Sequence, residues 1–285
     1  MTAGALQMGI VAMSNAYVHG YDEREKVRLQ DQAGTLVELL HSDTAYPEGS
    51  RILEAGCGVG AQTIELAKRS PGAHFTSVDV SAGSLMVAKR MLDAAGVRNV
   101  ELRQANILSL PFEPASFDHV FVCFVLEHLA HPLEALTKLK PLIKPGGTIT
   151  LIEGDHGSAY FHPDNADAHA AIRAQIELQR RAGGNALIGR QLFPLLTEAG
   201  FTDVKVTPRM VYADGNRPEL REGFTKKTFT AMIEGIGPMA VATGLIAPGR
   251  FDSGVRALHR SAEPDGVFCY TFFKAVANAG ERQAG

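Results

Sequence analysis

Arg51-Ile-Leu-Glu-Ala-Gly-Cys-Gly-Val-Gly60 decides how the rest of the chain reads. An apolar run ends in an acidic residue and gives way to alternating glycines. That pattern predicts a buried strand over 51–54, a tight turn, and a helix opening after Gly60. A second apolar strand ends at Asp79, about 20 residues past the first glycine, where a strand–turn–helix–strand unit places a carboxylate beside a ribose. Gly56, Gly58 and Gly60 let backbone N–H groups approach a ligand that any Cβ would push away. This layout holds a nucleoside-bearing cofactor, with Asp79 accepting from the ribose hydroxyls.

Two cofactors fit the loop. Gly56-x-Gly58-x-x-Ala61 matches the dinucleotide fingerprint, with a pyrophosphate on the helix N-terminus; an NAD(P)-dependent oxidoreductase would follow. Glu54-x-Gly56-x-Gly58-x-Gly60 matches the loop that binds S-adenosylmethionine (SAM). The Glu54 carboxylate repels a pyrophosphate but suits the ammonium and sulfonium of SAM.

The following segments favour SAM. Val100–Gln104 reads as a strand, and Ala105-Asn106-Ile107 follows it where an adenine amino group needs an acceptor. Then come Leu110-Pro-Phe-Glu-Pro-Ala-Ser-Phe-Asp-His-Val-Phe-Val-Cys-Phe-Val-Leu-Glu-His-Leu129, a helix, Leu142-Ile-Lys-Pro-Gly-Gly147 and the strand Thr148–Glu153. In this order the pieces resemble the class I SAM-dependent methyltransferases, above all the small-molecule group typified by ubiquinone/menaquinone-biosynthesis enzymes. The resemblance covers about residues 50–155 and continues weakly through Gly189–Phe201.

Strands at 51–54, 74–79, 100–104, 119–124 and 148–153 alternate with helical patterns at 62–68, 84–95 and 132–140, which predicts a doubly wound parallel α/β sheet. Strands at 202–207 and 267–276 bring the number to seven. The resemblance implies a Rossmann-like sheet whose last strand is antiparallel. Residues 1–285 read as a single domain: an N-terminal cap over 1–49, with a helix from Asp22 to Leu40, a SAM-binding core over 50–156, and helical insertions over 157–184 and 212–264. Insertions at these points are expected to cover the C-terminal edge of the sheet as a substrate lid, where open α/β folds bind ligands.

The resemblance assigns the cofactor to Glu54, Gly56, Cys57 through its backbone, Gly58, Asp79, Asn106, Phe124 and Val125, with Val80 and Ile107 sandwiching the adenine. Many relatives have Asp where this chain has Asn106; the amide oxygen can still accept from the adenine amine. N-terminal tyrosines of similar enzymes close over SAM, which puts Tyr21 beside the cofactor and Tyr17 beside the substrate. Glu153-Gly-Asp-His-Gly-Ser158 is expected to leave the fifth strand as a loop at the active edge. His156 is the general-base candidate, because its ordinary pKa lies near neutrality. Asp155 would orient it or hold a substrate amine. His128, Arg190 and Tyr212 are substrate-side candidates, Arg190 as a partner for a carboxylate. The expected acceptor atom is an oxygen, a carboxylate's included, or a nitrogen; carbon stays open. A SAM-binding protein without catalysis is a further alternative.

A net charge of −3 gives no electrostatic reason to expect a nucleic-acid partner. The 3 cysteines are far apart, with no CxxC pair and no zinc spacing, so reduced core residues in a reducing cytoplasm are expected and no metal. There is neither a signal-peptide pattern nor an apolar run of about 18 residues. A small-molecule acceptor is the expected partner, and a homodimer is possible.

Overall fold

The computed structural model describes residues 36–280. Tyr17, Tyr21 and most of the expected N-terminal helix lie outside the described residues; 36–41 are helical. Seven strands form one sheet: β1 (Arg51–Ala55), β2 (His74–Asp79), β3 (Val100–Gln104), β4 (Phe117–Cys123), β5 (Ile143–His162), β6 (Thr202–Ala213) and β7 (Val267–Asn278). Their spatial order is β3-β2-β1-β4-β5-β7-β6. β7 pairs antiparallel with both β5 and β6, and the pairings among β1 to β5 are parallel.

Both faces of the sheet are covered, because the central strands are apolar on both sides. Ile52, Phe75, Phe121, Cys123 and Ile152 join one core; Leu53, Ala55, Val120, Val122, Ile149 and Leu151 join the other. Helices α1 (Ala61–Arg69), α2 (Ala82–Ala94) and α3 (Pro132–Leu139) fill the crossovers, as the spacing predicts. Among the described residues, no helix is long and apolar enough to cross a membrane.

The fifth strand departs from the sequence reading. It runs on through His162, so Asp155 and His156 stand on a strand rather than a loop. Gly154 and Asp155 pair with Phe272 and Thr271, and Tyr160 to His162 pair with Cys269 to Val267. A register shift between Asp155 and Tyr160 absorbs the glycine-containing stretch. β6 is likewise longer than expected, reaching Ala213.

The two insertions meet on the face that carries Phe121. α4 (Ala166–Arg181) packs against the helix Pro248–Ser261 so closely that a Cβ on Gly254 would lie 2.4 Å from the carbonyl oxygen of Asp167. Between them runs a π-helix, Arg221–Thr230. It drives Phe224 and Phe229 onto Tyr270 of β7, with both ring separations at 5.5 Å.

The segment before β1 is tied to β7 by a buried lysine. Lys274 Nζ donates to Asp43 Oδ1 and Thr44 Oγ1, each at 2.6 Å, and Arg209 also pairs with Asp43. Lys274→Met is expected to cost about 1.5–3 kcal/mol in urea unfolding, the scale of a lost hydrogen bond to a charged group. Amide exchange should accelerate over residues 36–44 and stay unchanged in β1 to β4; uniform acceleration would refute a local tie.

Candidate functional site

The turn after β1 is built by positive backbone angles. Gly56, Gly58 and Gly60 have φ of 88°, 53° and 80°, a region costly for residues with a Cβ. The N–H groups of Gly56 and Cys57 both donate to the Val78 carbonyl, at 2.8 and 2.9 Å. Gly58 N–H donates to Asp79 Oδ2 at 2.8 Å, and Ser81 N–H to Oδ1 at 2.8 Å. Asp79 therefore ties the loop to the end of β2. Its two carboxylate oxygens keep lone pairs for further donors such as vicinal hydroxyls. A Cβ on Gly58 would meet nothing within 4 Å, so this loop faces open space.

Glu54 lies beneath the turn, 2% exposed. Its Oε2 accepts from Thr63 Oγ1 at 2.7 Å and Ser77 Oγ at 2.6 Å. Burial pushes its pKa up to about 7, against the pull of those two hydroxyls. Its electrostatic influence on the loop is thus graded by pH near neutrality.

The proposed adenine walls differ from each other. Val80 is 59% exposed, a free apolar surface beside Asp79. Ile107 is instead 8% exposed and packed into the second core, so it offers an edge rather than a wall. Asn106 is exposed, and its Oδ1 accepts from Leu108 N–H at 2.9 Å, which fixes the turn after β3.

After β4 the chain turns through Phe124, whose φ of 57° is unusual for a residue with a side chain. Glu153 of β5 braces this turn: its Oε1 accepts from Val125 N–H at 3.0 Å and Leu126 N–H at 2.8 Å. Val125 in turn packs onto the glycine loop, where a Cβ on Gly56 would lie 2.3 Å from Val125 Cγ2.

On the substrate side, Asp155 and Arg190 pair with each other. Arg190 Nε donates to Asp155 Oδ2 at 2.6 Å and its terminal nitrogen to Oδ1 at 2.8 Å. The expected pairing of Asp155 with His156 does not occur, because successive strand residues point to opposite faces. Arg190 is likewise already engaged by a carboxylate of its own chain. His156, 7% exposed, instead hydrogen-bonds through Nδ1 to the Tyr270 hydroxyl at 2.6 Å, and its Nε2 lies 4.0 Å from Glu127 Oε2. Gln179 of α4 donates to that same Glu127 oxygen at 3.1 Å. His128 borders the group, with its Nε2 3.6 Å from Glu127 Oε1. Tyr212, 38% exposed, flanks Val211 and Ala213, which are buried in the first core; alternation turns Tyr212 to the other face, away from His156.

A model described as a methyltransferase domain matches residues 52–147. Demethylmenaquinone methyltransferase of Staphylococcus aureus is 28% identical over 199 residues, 65% of this chain and 82% of that protein. An uncharacterized 37.1 kDa protein of a Streptomyces fradiae transposon is 32% identical over 203 residues, 70% of this chain. The chain spans 57% of that protein's length and 35% of a second uncharacterized relative from Synechococcus. Among solved structures, the cyclase SpnF matches with a TM-score of 0.55 at 18% identity, over 88% of this chain and 82% of that one. Phosphoethanolamine N-methyltransferase 2 of Haemonchus contortus, solved with S-adenosylmethionine, matches with a TM-score of 0.55 at 17% identity, over 96% of this chain and 57% of that one. Residues 52–147 thus match a methyltransferase domain, and the chain has the fold of the SAM-dependent methyltransferases.

The residues present fit S-adenosylmethionine. The Gly58 backbone faces open space, Asp79 has acceptor capacity to spare, and Val80 presents a bare apolar side chain. Glu127, Glu153 and Tyr270 were not among the expected site residues. Glu127 stands in the Leu126-Glu-His-Leu129 run after β4, so its position was readable; Tyr270 lies inside an ordinary apolar strand pattern and carried no signal.

Glu54 makes the methyltransferase turn pH-sensitive. Its folded pKa of about 7 lies above the ordinary 4.5, so the folded state binds this proton more tightly. The fold loses stability as pH rises from 4.5 to 7. Glu54→Gln should therefore be more stable than the natural chain at about pH 8, by roughly 3 kcal/mol, and equal to it at about pH 4. Urea unfolding at both pH values checks this; a gain that does not change with pH would refute it.

Proposed function

We propose that this chain transfers a methyl group from SAM to an oxygen or nitrogen of a small-molecule acceptor, held beneath the helices of 157–184 and 212–264. The observation that carries the reading is the buried Tyr270–His156–Glu127 chain beside the braced turn after β4.

When bound, SAM supplies a methyl carbon already activated by a sulfonium, so the protein's part is to align the nucleophile, exclude water and take a proton. Asp79 would hold the ribose hydroxyls, Val80 would cover the adenine, and the 56–58 backbone and the Phe124–Val125 turn would hold the remainder. Tyr21 would serve the cofactor and Tyr17 the acceptor. Proton removal falls to the Tyr270–His156 pair. In the tautomer the relay uses, Tyr270 O–H donates to His156 Nδ1 and His156 Nε2–H faces Glu127 across 4.0 Å. An acceptor proton then passes to the Tyr270 oxygen while the tyrosine's own proton moves to Nδ1. Glu127 stabilises the resulting imidazolium, as a carboxylate does behind a catalytic histidine. Desolvation holds the Tyr270 pKa well above its usual value, so its hydroxyl keeps its proton until relay occurs. Arg190 and Asp155 neutralise each other at the same edge and shape it.

Radiolabelled SAM in a fractionated cell extract tests the reading. Label should enter the small-molecule fraction; label in protein or RNA would overturn the substrate class. Base lability separates an ester from an ether or amine. With the acceptor in hand, His156→Ala should lower kcat by about 10²–10⁴, the usual scale for a lost proton acceptor, with SAM affinity within about two-fold of the natural chain. Undiminished kcat would dismiss the relay and leave a carboxylate acceptor, which has no proton to lose. Asp79→Ala should do the opposite, weakening SAM binding by about 10²-fold through two lost charged hydrogen bonds.

A further inference from the structure

Tyr270 takes the acceptor's proton in the function proposed above, yet its side chain is buried. Phe224 and Phe229 of the π-helix lie over its ring, both at 5.5 Å, and Phe272 closes another side at 4.8 Å. An acceptor cannot meet the Tyr270 hydroxyl under this cover. On the methyltransferase reading, on which the inference below rests, part of the cover must move.

The winding of residues 221–230 decides which part. Ala231 N–H donates to the Lys226 carbonyl, and Thr228 Oγ1 donates to the Gly223 carbonyl at 2.7 Å; each bond reaches five residues back. Bonding of this kind sets residues five apart nearly one above the other. Phe224 and Phe229 are such a pair, and so are Thr225 and Thr230; all four are buried. In an α-helix, at 3.6 residues per turn, residues five apart point about 140° away from each other. An α winding can therefore keep one of the two rings on Tyr270, but not both.

The π winding also leaves a demand unmet. The Thr225 and Thr230 hydroxyls are buried and make no hydrogen bond, so two desolvated polar groups oppose this form. In an α winding a Thr hydroxyl reaches the carbonyl four residues before it; here those carbonyls belong to Arg221 and Lys226. α-Helical turns, Pro218–Leu220 and Ala231–Gly235, already flank the segment. Rewinding extends them rather than starting a new helix, which avoids the cost of a nucleus.

We infer that residues 221–230 are the gate of the acceptor site. Wound as a π-helix, the segment seals Tyr270 under two phenyl rings. Wound as an α-helix, it withdraws one ring and opens the way to the Tyr270–His156 pair.

Carbon-13 saturation-transfer NMR on the ligand-free full chain reads a sparsely populated open state. The Cα carbons of 221–230 should exchange with a minor state that keeps helical shifts, and the Tyr270 ring carbons should exchange at the same rate. Thr225→Val with Thr230→Val keeps the shape and removes both unmatched hydroxyls. The minor-state population should then fall about ten-fold, with the urea midpoint unchanged or higher; a lower midpoint would show the hydroxyls to be satisfied and overturn the drive to rewind. Phe229→Leu gives up the ring contact with Tyr270 and should raise the population about five-fold. Coil shifts in the minor state, a different rate at Tyr270, no minor state in the natural chain, or populations that do not move in these opposite directions overturn the gate. Calorimetric titration of the natural chain with S-adenosylhomocysteine is the separate control. Failure to bind it would overturn the methyltransferase reading whatever the segment does, so the two failures are told apart.

Discussion

The Val78 carbonyl, taking two amides of the glycine turn at once, is the constraint on which the site depends. Two successive N–H groups can converge on one oxygen only if the chain between them bends sharply, and Gly56 at φ 88° supplies the bend. The same missing Cβ opens the space that Val125 fills. Val125 is held by Glu153, and Glu153 is set by the β4–β5 ladder. The cofactor loop, the turn after β4 and the end of β5 therefore form one mechanical unit, and strain at Phe124 is borne by contacts two strands away.

Such a unit is costly to fold. Glu54, Glu127, Glu153 and His156 are all buried, and desolvation raises the pKa of Glu54 and Glu153, so these two acids pull against the fold at neutral pH. What offsets them is the double coverage of the sheet, with fully buried Phe117, Phe121, Phe224, Phe229 and Phe268 spread over both faces. The buried acids stand at the sheet's C-terminal edge, where perturbed acids and bases have a use, while Arg51, Asp118 and His119 of β1 and β4 stand at the opposite end, Asp118 paired with Lys144.

The βαβ half of this chain was legible because its signals are local. Glycine positions, apolar runs and the carboxylates at Glu54 and Asp79 recur at fixed spacing, and the strands they mark stand within a residue or two of expectation. The course of β5 was not legible. Gly154-Asp155-His156-Gly157-Ser158 has the composition of a turn, and only pairing with β7, more than 100 residues onward, makes it a strand. The same non-local pairing hides Tyr270 as the partner of His156, and Asp155 as the partner of Arg190. Ile107 reads as an exposed apolar residue after a strand, but packing draws it into the core. In each case the deciding neighbour is far away in sequence.

That division has a chemical consequence. A cyclase and an N-methyltransferase both superpose on this chain at similar TM-scores, so the sheet by itself does not select a reaction. The stretch that matches a methyltransferase domain, 52–147, carries the glycine turn and Asp79. The two proton-bearing groups of the proposed relay stand outside it, His156 on the extension of β5 and Tyr270 on the antiparallel β7, and Gln179 of the first insertion donates to Glu127. Antiparallel pairing brings β7 back against β5 and lays a tyrosine beside a histidine 114 residues away. On the function proposed above, the glycine-turn segment fixes what can be transferred, whereas the returning strand and the insertions fix which nucleophile can receive it. Chemistry can thus diverge in this fold by changing β5, β7 and the lid while the glycine turn stays as it is.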